Sequence, residues 1–132
     1  MSKLPMIARI LLGLVFTVFG ANKFLHFIPN PPMEGAAGDF MGGMVKSGFF
    51  IPLLAAVELV GGLLLLVGRY VPLGLTLLAG PVVGILAFHV TLAMAGLPVA
   101  LVVLLLEVYL AYAYRGAFSG VLNPAASPSS TK

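Results

Sequence analysis

The sequence predicts an all-α fold, a polytopic four-helix transmembrane bundle that forms a single membrane domain over residues 1–132. Three observations predict it. The chain is 61% hydrophobic with a mean hydropathy of +1.14. Only 8% of its residues are charged, where a soluble domain averages about a quarter. Its apolar residues gather into four runs, roughly 5–27, 49–68, 72–95 and 97–114, each long enough to cross a bilayer core.

The first run opens with Pro5, suited to the first turn of a helix. Lys3 and Arg9 ahead of a stretch ending at Gly20-Ala21 resemble a signal peptide, but the apolar pattern runs on to Ile28, which favours a span. On a helical wheel Arg9, Gly13, Phe16, Gly20, Lys23 and Phe27 share one face, and Asn22 and His26 share another, one turn apart. Pro29-Asn30-Pro31-Pro32 then ends the helix. After Gly38 a short amphipathic helix is expected, capped by Asp39, with Phe40, Met41, Met44 and Val45 on its apolar side. Two readings stay open for it: an interfacial anchor, or a lid over the mouth of the bundle.

The second run carries one charge, Glu58, near its middle. Ala55, Gly61, Gly62 and Leu65 fall on the same side, and such small residues let a neighbouring helix come close, so this face should point inward. Gly68-Arg69-Tyr70 ends the run and Pro72 begins the third, which Gly80-Pro81 should bend. Gly80 and Gly84 form a GxxxG pair, expected to meet a tight neighbour in the bundle or in another copy, with His89 nearly opposite. Gly96 and Pro98 separate the third run from the fourth, and so short a connection makes those helices antiparallel neighbours. Glu107 is central in the fourth, with Tyr109, Tyr112 and Tyr114 toward its end. Residues 123–132 are expected to be a disordered polar tail.

Charge adds orientation and exclusions. Lys3, Arg9, Arg69, Arg115 and Lys132 fall on the side of the termini, against Lys23 and Lys46 on the other. The positive-inside rule therefore places both termini in the cytoplasm. The net charge of +3 is spread over helix ends, which speaks against nucleic acid as a partner. The absence of cysteine removes disulfides, thiolate metal sites and dithiol redox chemistry.

At about 1.5 Å per helical residue, Glu58 and Glu107 lie near the midplane, while His89 and Lys23 lie higher in the outer half. His26 and Asn22 are near the outer surface and Arg9 is near the inner one. An isolated charge at depth costs a few kcal/mol, which favours pairing or neutralisation. Each group keeps two readings. Glu58 and Glu107 are neutral acids bonded across helices, or they hold a polar ligand head or relay protons. His89 is a satisfied core imidazole or a ligand contact. Lys23 snorkels to headgroups, the favoured reading, or joins the polar set. Arg9 is first a cytoplasmic anchor, although its face suggests that it reaches into the bundle. Thr17 is read as packing. His26 and His89 could bracket a haem, but His26 stands at a helix end, so haem is set aside. A carboxylate-bridged metal pair needs a Glu-x-x-His spacing that neither Glu58 nor Glu107 has. No Ser-His-acid order, phosphate loop or dinucleotide fingerprint is present.

Arg9-x3-Gly13-x2-Phe16-x3-Gly20-x2-Lys23, followed by Glu58-x2-Gly61-Gly62, resembles the DoxX family of small bacterial membrane proteins. FHVTLAMAGLP around His89 and the closing LVVLLLEVYLAYAYRGAF resemble it too, and the likeness runs from Leu4 to about Ser119. It implies a four-helix protein of the bacterial inner membrane. The family's name comes from a small subunit associated with thiosulfate:quinone oxidoreductase or terminal quinol oxidase activity; more distant eukaryotic relatives are cargo receptors or assembly factors. Some redox-linked relatives use cysteines, which this chain lacks. Arg9, Gly13, Gly20, Lys23, Glu58 and Gly62 carry over as family positions, none of them catalytic.

The expectation is a non-catalytic membrane protein binding a lipid or quinone head group in a polar intramembrane pocket. Glu58, His89, Glu107 and Lys23, with Asn22, His26 and Arg9 as further candidates, would supply the polar contacts. Membrane lipids, further copies of the chain or a respiratory enzyme to which it is accessory are the expected partners. The rivals are a proton-coupled small-solute transporter and a ligand-free assembly factor that docks through Gly80 and Gly84.

Overall fold

The computed structural model describes residues 3–29 and 32–129. Asn30 and Pro31 of the helix-ending segment, and Lys132 of the charge count, lie outside the described residues. Among the described residues there are five α-helices: α1 Leu4–Leu25, α2 Gly35–Lys46, α3 Phe50–Val67, α4 Val71–Thr91 and α5 Leu97–Ala113. All but α2 are long and apolar enough to cross a membrane, if the 3-10 turn Met94–Gly96 is counted with α5. The chain is thus a multi-pass membrane protein with a four-helix bundle.

The helix ends follow from local chemistry. Pro5, Pro72 and Pro98 each occupy the first turn of a spanning helix, where a missing N–H is harmless. α3 ends on Gly68, at φ 82°, whose N–H returns to the Leu64 carbonyl. α1 ends at Leu25, two residues before the sequence expectation, because His26 turns left-handed and its N–H closes on the Asn22 carbonyl. α4 ends at Thr91, short of the expected residue 95, and the chain passes through the turn Met94–Gly96 instead. α2 corrects the expected start: it begins at Gly35, Glu34 stands at the cap without a side-chain bond, and Asp39 lies inside the helix. Pro81 is accommodated within α4.

Around the bundle α1 packs on α3, α3 on α4, α4 on α5 and α5 back on α1, with the α1–α3 seam the most extensive. Glycine makes that seam. A Cβ on Gly13 would stand 2.9 Å from the Gly62 carbonyl oxygen, one on Gly20 2.9 Å from the Leu59 nitrogen, and one on Gly62 2.7 Å from the Thr17 nitrogen. Backbones this close gain dispersion contacts that leucine-sized side chains would prevent. The core between the helices is aliphatic, with Leu12, Phe16, Leu65, Leu75, Leu78 and Leu110 fully enclosed. The expected tight partner of Gly80 and Gly84 is not within the bundle: both are exposed with open space beside them, and α4 meets α3 through Gly74 and Leu78 at Gly61. Residues 123–129 are exposed and without helix; 130–132 lie outside the described residues.

Candidate functional site

The polar groups divide between the two ends and the middle of the bundle. At the middle, Glu58 faces inward from α3, as its small neighbours require, and its side chain is 3% exposed. Lys23, in the last turn of α1, reaches down to it: Nζ donates to Glu58 Oε1 at 2.8 Å. The expected snorkelling of Lys23 therefore gives way to an ion pair across the α1–α3 seam. The lysine remains 26% exposed, so the pair has one sealed and one open partner.

Above the pair, at the end that bears α2, lies a cavity of about 400 Å³. Its polar lining is Lys23, Asn22 and His26 from the end of α1. Its apolar lining is Phe19 of α1, Met33 of the loop, Met41 and Val45 of α2 and Ile51 of α3, with Gly38 completing it. α2 therefore forms one wall of the cavity. Phe40 of α2 also meets Phe88 of α4, ring centroids 5.8 Å apart. Asn22 is buried and committed: Oδ1 accepts from the Ile28 N–H at 2.7 Å and Nδ2 donates to the Ile28 carbonyl at 3.4 Å. It locks the turn that leaves α1 and so shapes the cavity. His26 is exposed and presents its ring there.

The other candidates sit elsewhere. Arg9 is at the opposite end of α1, where Nη1 donates to the carbonyls of Leu65 (2.6 Å) and Leu66 (3.3 Å). These are among the last carbonyls of α3, which have no partner in their own helix. Gly68 clears the space the guanidinium occupies. His89 places Nδ1 2.8 Å from the Ile85 carbonyl, one turn back on α4, and stands edge-on to Phe88, 5.3 Å between centroids. Its ring lies where a side chain on Gly96 would go. Glu107 is buried in α5 and its Oε1 has no hydrogen-bond partner among the described residues. Thr17 Oγ1 shares that condition and lies against Gly62, one turn below Glu58 on the seam. Nothing in the sequence distinguishes Thr17; only the packing of α1 on α3 brings its hydroxyl inside. The structure thus brings Lys23, Asn22 and His26 to one cavity, with Glu58 behind Lys23, and leaves Arg9, His89 and Glu107 outside the lining.

The family model described as DoxX matches residues 4–114. Neither a curated protein nor a solved structure matches the chain.

Proposed function

The chain belongs to the DoxX family, and from that premise we propose that it is a non-catalytic protein that holds the polar head of a lipid or quinone in the cavity between α1 and α2. The cavity itself carries this reading. A volume of about 400 Å³ falls within the few hundred to ~1,000 Å³ typical of ligand sites. Its polar groups gather at the end of α1 while methionine, phenylalanine and aliphatic side chains make up the rest, as an amphiphile with a small head requires. Lys23 gives one N–H to Glu58 and keeps two for an oxygen acceptor. His26 adds a second donor, and Asn22 holds the turn in place.

The family resemblance supports a setting in the bacterial inner membrane, and the excess of cations around the termini supports an orientation with both termini in the cytoplasm. The cavity would then open toward the outer leaflet. Should the head group be a quinone, an accessory place beside a quinone-linked respiratory enzyme is the role the family resemblance suggests. Native mass spectrometry of the gently extracted chain tests the reading. A lipid-like adduct is expected on the wild type, lost in Lys23→Ala and kept in Thr76→Ala, on the exposed face of α4. A wild-type spectrum without an adduct, or an adduct indifferent to Lys23, rejects it.

A further inference from the structure

We propose that Lys23 is shared between two anions, so that an acidic head group entering the cavity draws the lysine from Glu58 and binds together with one proton. This rests on the reading of the cavity just given and narrows its ligand to a head bearing a phosphate or carboxylate.

Lys23 belongs to two environments at once. Its Nζ stands 2.8 Å from Glu58 Oε1, yet its side chain lines the cavity and is 26% exposed. Glu58 does not line the cavity and is 3% exposed. Among the described residues no carboxylate appears in the lining, where the polar groups are Lys23, His26 and an asparagine already bonded to the Ile28 backbone. An acid-free wall with an ammonium in it favours an anion. One ammonium then faces two anions and can offset the charge of only one, and its flexible four-carbon stem lets it turn from Glu58 toward the ligand.

Glu58 cannot follow its partner. A carboxylate sealed in the bundle and stripped of its cation is far costlier than a neutral acid, so it takes a proton from water. The exchange balances. Before it, the ammonium faces the Glu58 carboxylate. After it, the ammonium faces the ligand anion, and Glu58 carries the added proton on a new O–H bond. The anion and the proton arrive together, the site's own charge with its ligand stays at zero, and nothing is oxidised or reduced.

The titratable neighbours leave one competitor for that proton. Glu34 at the cap of α2, and Asp39 and Lys46 within it, are exposed and outside the lining. On α4, His89 holds the Ile85 carbonyl; on α5, Glu107 is buried outside the lining; Arg9 is bound at the far end of α3. His26 lines the cavity and could take the proton instead.

Calorimetric titration of the full chain in micelles, near neutral pH and in two buffers of different ionisation enthalpy, decides it. A short-chain phosphatidylglycerol and, separately, dimethyl phosphate are the titrants, both phosphodiester monoanions with no proton of their own to exchange near neutral pH. Net proton uptake is expected on binding, kept in His26→Ala and abolished in Glu58→Gln, where affinity rises several-fold because no carboxylate competes. Uptake with phosphatidylglycerol alone assigns a lipid head; uptake with dimethyl phosphate as well assigns a free anion within the same chemistry. Binding whose heat is the same in both buffers overturns the proposal and leaves the cavity reading intact, as does uptake lost with His26 or weaker binding in Glu58→Gln. Absence of binding by both titrants overturns the proposal, and the wild-type native mass spectrum then decides separately whether the cavity reading stands. Should Glu58→Gln not fold, the two-buffer comparison on the wild type and His26→Ala suffices.

Discussion

Lys23 and Glu58 are unequal partners, and the inequality sets what each substitution does. Removing the lysine leaves an acid with nowhere to go, whereas removing the acid's charge leaves a lysine that can turn into the cavity. Removing the partner of a sealed charge costs about 3–5 kcal/mol. Lys23→Met should therefore lower the melting temperature in detergent markedly and Glu58→Gln only slightly. The double Lys23→Met/Glu58→Met variant should recover most of the loss. Equal destabilisation by both single variants would contradict this account of the pair. The wheel already placed Arg9, Gly13, Gly20 and Lys23 on one face, and that face is the one applied to α3. What it could not supply is the direction of the lysine stem, because a long flexible side chain reaches headgroup water or a midplane acid equally well. For Arg9 the missing information was the partner, since a helix end becomes a hydrogen-bond acceptor for another helix only after the two have packed.

Among the elements, α1 and α3 owe their closeness to glycine, and the sequence offered more than one glycine pair for that role. Gly62→Ala would set a methyl carbon 2.7 Å from the Thr17 backbone nitrogen, which can be relieved only by moving helices apart. A loss of about 1–3 kcal/mol is expected, in line with overpacked cores. Gly84→Ala meets nothing within 4 Å and should leave stability within about 0.5 kcal/mol. Thermal unfolding of the two variants side by side checks this, and an equal effect would mean that α4 buries a different face. α4 is apolar nearly all round, so its sequence has little periodicity to say which stripe turns inward. Gly74, Leu75, Leu78 and Val82 do so, and Gly80 and Gly84 do not. The start of α2 was equally hard to read. Asp39 has the chemistry of a cap, but the helix begins at Gly35 behind a Glu34 that makes no capping bond.

For the molecule as a whole, the count and the alternation of spans were legible because bilayer thickness imposes a length that sequence displays directly. The division of the polar groups was not: depth along a helix is countable, but which of two buried acids meets a cation depends on packing. Lys3, Arg69 and Arg115 are exposed at the end of the bundle opposite α2. With no native cysteine, topology can be tested without background. In intact spheroplasts an impermeant maleimide should label Ala36→Cys on α2 and spare Ser127→Cys until the membrane is permeabilised. The reverse pattern would invert the proposed orientation and turn the cavity toward the cytoplasm.

The hold of Arg9 on the Leu65 and Leu66 carbonyls has a consequence for biogenesis. The receiving carbonyls are made by the ribosome well after the arginine has emerged. Until they arrive, the guanidinium has only water and lipid phosphates to donate to, so this contact between α1 and the end of α3 closes only once both helices are in place.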